Sequence, residues 1–267
     1  MDFKFKKETK LAIEAVMEGE RICNLSYSPE IVNIKESLRD ISTIVDLEIE
    51  KSIIEKLSES KYPILAEESS HNLKPKIDFM KPYWAVDPID GTVNFINGLD
   101  IFCISIGLCQ DNSFLLGAIA FPLYRKLYST MGPKVAFLNG KPLIHKHRKI
   151  EEALISASFS GKNFDSKKRN NEYELFGEIN DLSRGCLRLG SAAANICFTA
   201  SGELQAAYGF NAKIWDVAGA ISVATASGCS SIIEISKESN SISYIVGSKT
   251  IVSEIHKMSI NKGLFAN

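Results

Sequence analysis

Apolar side chains recur at helical spacing early in the chain. Leu11, Ala12, Ala15, Val16, Gly19, Ile22 and Cys23 share one face, which predicts an amphipathic helix of about 15–20 residues, with Pro29 just past its end. A second helix is expected over residues 45–58, with Ile49, Ile53, Ile54 and Leu57 turned inward and Glu48, Lys51, Glu55 and Lys56 outward. Asp46 stands at its start, where the helix dipole favours a carboxylate, so a capping role is the simpler reading of that residue. Residues 62–66 form a short apolar run that stops at Glu67 and Glu68. Those two acids suit either a solvated edge or a pair of ligands, and the polar stretch 69–81 reads as a loop or flap.

Further on, Trp84, Ala85 and Val86 read as the end of a buried strand and residues 101–109 as another, followed by a turn at Asp111 and Asn112. Strands over 114–121 and 126–130 extend a meander. Asn139-Gly140, between apolar runs at 136–138 and 142–144, is a strong hairpin signal. Helices followed by antiparallel strands make this an α+β pattern. A basic stretch, 141–149, with His145, Lys146, His147 and Arg148, lacks interleaved aromatics and reads as a solvated linker. It divides the chain into an N-terminal α+β half, 1–145, and a C-terminal half, 146–267. In the second half strands (153–158, 186–189, 204–208, 232–235, 244–246) mingle with helices (172–179, 191–200, 216–226, 249–258), which predicts an α/β layer with a largely parallel sheet.

Composition removes several classes of function. The 31 basic and 32 acidic residues leave a net charge of -1, against a general binder of nucleic acid or of membrane surfaces. The longest mostly apolar run, 114–124, is too short for a membrane span. Residues 1–10 lack the apolar core and cleavage site of a secretory signal, and a cytoplasmic protein is expected. The six cysteines are scattered, with no CxxC, and read as reduced packing residues.

The chemistry concentrates in WAVDPIDGTVNFING, residues 84–98. Pro88 fixes its own φ and lacks a donor, so it is expected to end the strand ladder and stiffen the turn. A rigid turn can aim Asp87, Asp90 and the Ile89 carbonyl at one point. Gly91 lets the backbone approach a ligand, offering its N–H and that of Thr92 to an anion. Carboxylates with a carbonyl are hard donors suited to magnesium or manganese, and metal beside such N–H groups fits a phosphate ester. The same letters also make an ordinary turn. Downstream, Asp216 in IWDVAGA opens a small-residue helix and fits an N-cap.

Taken together, WAVDPIDGT and IWDVAGA resemble the two signatures of the inositol monophosphatase family, magnesium-dependent, lithium-sensitive phosphomonoesterases whose superfamily includes fructose-1,6-bisphosphatases and bisphosphate nucleotidases. LAEES (65–69), ISIGL (104–108) and GSAAANICF (190–198) extend the likeness over nearly the whole chain. The resemblance implies a layered αβαβα architecture, a homodimer and two or three Mg2+ ions. It gives the first ion Glu67, Asp87 and the Ile89 carbonyl, the second Asp87, Asp90 and Asp216, and a weaker third Glu67 with water. It further implies that Thr92, assisted by Asp46, deprotonates a water, that Gly91 and Thr92 cradle the phosphate, and that Lys35 steadies the region. A small polyol, sugar or nucleotide phosphate is the expected substrate. A bisphosphatase activity or a non-catalytic binding role is the alternative.

Some positions depart from the pattern. Gly209, seven residues before Asp216, stands where inositol-phosphate-hydrolysing relatives carry a glutamate. Lys213 is either a cation beside the leaving group or a solvated loop lysine. Gly190, Ser191 and Ala192 suit close approach by a substrate and equally suit tight helix packing.

Overall fold

The computed structural model describes residues 5–25, 41–70, 77–160, 165–236 and 241–266, and the backbone of 31–34. Lys35 lies outside the described residues, as do residues 71–76 of the expected flap. The first helix, α1 (Lys6–Leu25), is followed by a small pair, β1 (Ile31–Ile34) and β2 (Ile41–Thr43), and by α2 (Ile44–Leu57). Then come β3 (Ile64–Ala66), the single turn α3 (Glu67–Ser70), β4 (Tyr83–Asp90) and α4 (Thr92–Ile96). A meander follows, β5 (Cys103–Gln110), β6 (Ser113–Phe121), β7 (Lys126–Thr130), β8 (Ala136–Leu138) and β9 (Lys141–Leu143). The rest runs β10 (Leu154–Ser158), α5 (Ser166–Leu182), β11 (Gly185–Leu187), α6 (Ala192–Ser201), β12 (Ala206–Lys213), α7 (Ile214–Ala226), β13 (Ser230–Ser236), β14 (Ser241–Gly247) and α8 (Lys249–Asn261).

Strands β3 to β9 lie side by side in chain order as one sheet, parallel only between β3 and β4. The second sheet has the order β11-β10-β12-β14-β13. Its β11-β10 and β10-β12 pairs are parallel and its β12-β14 and β14-β13 pairs antiparallel. This sheet is therefore mixed rather than largely parallel, because β13 and β14 succeed each other without an intervening helix to carry a crossover.

Strand alternation sorts the side chains into three cores. Trp84, Val86, Ile104, Ile106 and Ala118 pack under α1 and α2. Ala85, Cys103 and Ile119 point the other way, toward α6, α7 and the inner face of the second sheet at Ala207, Tyr244 and Val246. Tyr208 and Ile245 face outward onto α5 and α8. The layers therefore run helices, sheet, helices, sheet, helices. Both sheets are covered on both faces, which explains why β5 has an almost unbroken apolar run.

Two local findings depart from expectation. The ladder between β4 and β5 does not stop at Pro88. Asp87 pairs with Ser105 and Asp90 with Cys103, so one extra residue is absorbed between them. The proline, which has no N–H, sits in that irregularity, where no ladder bond is required of it. The basic stretch is not uniformly solvated either. His145 is buried, with Nδ1 donating to the Thr199 carbonyl (2.8 Å) and Nε2 accepting from Ser248 Oγ (3.0 Å), while Lys146, His147, Arg148 and Lys149 remain exposed.

Helix α7 seats on β5 and β6 where glycine faces glycine. A Cβ at Gly117 would fall 2.0 Å from the Gly219 carbonyl oxygen, and one at Gly107 2.7 Å from the Gly219 nitrogen. Backbone on both sides leaves nothing to move aside. Gly117→Ala is expected to cost about 3 kcal/mol, read as a lower denaturant midpoint, and an unchanged midpoint would contradict this seating. Burial pushes the His145 pKa down. The unfolded imidazole takes up its proton near pH 6.5, while the folded one resists until lower pH. Stability is then lost as pH falls below about 6.5. Because buried acids titrate in the same window with the opposite sign, the check is the difference in unfolding temperature between wild type and His145→Gln, which should shrink as pH falls from 7.5 to 5.

Candidate active site

At the ends of β3 and β4 the register decides which side chains meet. Ala66 pairs with Val86 in parallel, so the next residues out, Glu67 and Asp87, emerge side by side. Three residues on, past the irregularity at Pro88, Asp90 rejoins the ladder. Gly91 then turns the chain with φ +100°, a conformation that costs a side-chain-bearing residue but not glycine, and Thr92 opens α4. From the other half, α7 brings Asp216 in its first turn, where Oδ2 accepts from the Lys213 N–H (3.0 Å).

These groups border one cleft of about 150 Å³, lined by Ile41, Glu67, Asp87, Ile89, Asp90, Gly91, Thr92, Val93, Gly190 and Asp216. Among the described residues no three His, Cys, Asp or Glu side chains are drawn together as a closed metal cage; the carboxylates stand around an open cleft. Their electrostatics favours a cation all the same. The Asp87 carboxyl is pushed well above its usual range by burial and then by the charges of Glu67, Asp90 and Asp216. Asp216 moves the same way, by burial and then by Asp90 and Glu67, although Lys213 opposes the shift. Asp90 is pushed up to about 6 by burial, against hydrogen bonds that pull it down. Crowded acids with oxygen-only donors are what a magnesium ion would relieve. Glu67, Asp87, Asp90, Asp216 and the Ile89 carbonyl therefore fit that metal.

Asp46 joins the two readings the sequence left apart. Its Oδ2 accepts from the Thr43 N–H (2.8 Å) and from Thr43 Oγ1, closing a capping box at the start of α2. Its Oδ1 faces Thr92 Oγ1 at 3.4 Å, and the same hydroxyl donates to the Ile89 carbonyl at 3.0 Å. The spacing Thr43-x-x-Asp46 is a capping-box signal that would have identified Thr43.

Ser191 is buried behind Asp90. Its hydroxyl donates to Asp90 Oδ2 (2.5 Å) and accepts from the Ala194 N–H (3.1 Å) as the N-cap of α6. Asp90 also accepts from the N–H groups of Ala193 (2.6 Å) and Ala192 (3.3 Å). Gly190 borders both the cleft and an adjoining chamber of about 290 Å³, which Ala192, Ser158, Phe159, Arg188 and Asn211 help to line. Lys213 is not among the residues lining either space. A Cβ at Gly209 would meet Tyr244 Cε1 at 2.8 Å and Ser158 Cβ at 2.9 Å, so any side chain there collides with the wall of the fold. Asn94 and Arg188 carried no signal in the sequence. Asn94 Nδ2 donates to the carbonyls of Ile101 (2.6 Å) and Leu189 (2.8 Å), fastening the turn after Gly91 to the loop that carries Gly190.

A model of the inositol monophosphatase family matches residues 5–258. The chain belongs to that family. Human inositol monophosphatase 1 is 30% identical over 217 residues, 79% of this chain and 77% of that protein. The bovine enzyme of the same name is 33% identical over 205 residues, 74% and 72% of the two chains. Inositol-1-monophosphatase SuhB of Mycobacterium tuberculosis is 30% identical over 202 residues, 74% and 70%. Among solved structures, an inositol monophosphatase from Anabaena (Nostoc) sp. PCC 7120 superposes with a TM-score of 0.82 at 21% identity, covering 97% of both chains, which shows the fold. Inositol monophosphatase II of Staphylococcus aureus gives 0.74 at 26% identity, covering 94% of this chain and 91% of its own. As a member of this family the chain is a phosphoric monoester hydrolase, of a kind that is generally magnesium-dependent and acts on small phosphate esters. No helix among the described residues is long and apolar enough to cross a membrane.

Asn94→Ala would leave two carbonyls without their partner. A loss of about 2 kcal/mol is expected, measured as a denaturant midpoint. A wild-type midpoint would mean that the two loops are held together without it.

Proposed function

We propose that this protein hydrolyses a small polyol or sugar phosphate with two, and at most three, magnesium ions. The observation that carries the reading is the convergence of Glu67, Asp87, Asp90 and Asp216 from three separate segments on one cleft beside Gly91 and Thr92. In this reading Glu67, Asp87 and the Ile89 carbonyl hold one ion, Asp87, Asp90 and Asp216 a second, and Glu67 with water a weaker third. Bound there, the ions supply Lewis-acid neutralisation of the charge on the phosphate and on the leaving oxygen.

The chain's own groups do the rest. The backbone N–H groups of Gly91 and Thr92 orient the phosphate. Thr92 Oγ1 lies 3.4 Å from Asp46 Oδ1, so the hydroxyl, once it turns its proton from the Ile89 carbonyl to that carboxylate, can pass it to Asp46 while accepting the proton of an attacking water. Thr43 holds that carboxylate in place, leaving Oδ1 turned toward Thr92. The water oxygen bonds to phosphorus as the bond to the ester oxygen breaks, and no covalent link to the protein is required. Beyond the phosphate, the ester's organic part faces the chamber at Arg188 and Asn211. The guanidinium there favours a substrate with a second anionic group. Gly209 removes the acidic partner that would hold inositol hydroxyls.

The test is phosphate release, with and without magnesium, from inositol-1-phosphate, fructose-1,6-bisphosphate and adenosine 3′,5′-bisphosphate. Chelation should stop the reaction. Asp90→Asn and Asp216→Asn should each lower kcat about 1000-fold, the equivalent of roughly 4 kcal/mol of transition-state stabilisation. Wild-type-like release from either variant would remove the two-ion assignment.

A further inference from the structure

Helix α2 carries a second buried carboxylate, Glu50, one turn after Asp46 on the same face. Only 4% of Glu50 is exposed. Its Oε2 accepts from the Glu68 N–H at 2.7 Å and its Oε1 from the Ser69 N–H at 2.8 Å. Both oxygens are thus spent on the turn α3, whose first residue is Glu67. No lysine or arginine pairs with Glu50 among the described residues.

A four-residue helical turn has little stability of its own, and its first N–H groups have no partner within it. Something outside must fix it if Glu67 is to point consistently at the cleft. Helix α2 is a firm platform, with Ile49, Ile53 and Leu57 fully buried and a capping box at its start. A buried carboxylate without a cation costs stability, and fastening a loop alone would not require one. Two charge-assisted bonds from a single side chain do, however, set both position and rotation of the turn.

We infer that Glu50 is a positioning residue for Glu67, holding the turn at Glu68 and Ser69 so that the Glu67 carboxylate reaches the cleft in the orientation magnesium needs. One face of α2 then serves the site twice, through Asp46 toward Thr92 and through Glu50 toward Glu67. The inference rests on the reading of the cleft as a magnesium site.

Glu172 supplies the comparison. It too is fully buried, and it accepts from the Ser160 N–H (2.9 Å) and Ser160 Oγ (2.5 Å), but beside Phe210 and away from the carboxylate cleft. Magnesium binding to the whole protein should be measured by titration calorimetry, and by the rise in unfolding temperature on adding the ion, for wild type and for Glu50→Gln, Glu50→Asp and Glu172→Gln. Partners behind metal ligands change affinity by about 10–100-fold, and a loss of that size is expected for both Glu50 variants. The aspartate retains the charge and withdraws it from the turn, and it carries the test if the glutamine variant does not fold. Glu172→Gln should lower the unfolding temperature and leave magnesium affinity unchanged.

Wild-type affinity in Glu50→Gln would overturn the inference. So would a weakened Glu50→Gln beside a wild-type-like Glu50→Asp, since charge rather than position would then be acting. An equal loss of affinity in Glu172→Gln would also overturn it, as a general softening of the fold. If the wild-type protein neither binds magnesium nor releases phosphate with it, the reading of the cleft fails, and this inference with it.

Discussion

Like charges held close in a poorly solvated place are the constraint around which this molecule is built. Glu67, Asp87, Asp90 and Asp216 do not drift apart to relieve one another, because none of them sits on a free loop. Asp87 and Asp90 belong to a strand with neighbours on both sides, Glu67 follows a strand in fixed parallel register, and Asp216 begins a helix seated on backbone. The rigid frame keeps the repulsion in place, and the repulsion gives the cleft its appetite for divalent cations.

That frame also joins the two halves. Asp90 of the first sheet accepts from Ser191, Ala192 and Ala193, and so serves as an anchor for the start of α6. Helix α7 belongs by sequence to the second half, yet it lies against β5 and β6 through Gly107, Gly117 and Gly219. The core between the sheets draws on both halves, from Ala85 and Ile119 to Ala207 and Val246. The position of Asp216 relative to Asp90 is thus set by buried packing, not by an exposed linker. Proteins that work through converging side chains need this precision, because small displacements cost rate steeply.

Much of this was legible in the chain, and the parts that were not share a cause. Helical periodicity gave α1 and α2, and Asn139-Gly140 gave its hairpin because turn chemistry is local. Asp87 and Asp90 were legible because one short motif fixes their spacing, whereas Glu67 and Asp216 were joined to them only through the family resemblance. What escaped was non-local. His145 looked like one more charge in a basic run, yet its partners, Thr199 and Ser248, are 54 and 103 residues away. Pro88 should have ended a ladder by its own chemistry, but pairing with Cys103 resumed it on the far side. The mixed second sheet turned on which neighbour β14 would choose. Asn94, Glu50 and Arg188 are ordinary letters whose roles exist only through what the fold places opposite them.

The wall at Gly209 bears on how substrate preference can change over evolutionary time. Because even a methyl group there meets the ring of Tyr244 and the Cβ of Ser158, no single replacement at 209 can install an acid that reaches the chamber. The ring at 244 would have to shrink first, leaving a void in the core between the sheets where Tyr244 packs. A side chain at 209 and a smaller residue at 244 therefore belong together, since either change alone weakens the fold, and the two positions are epistatic.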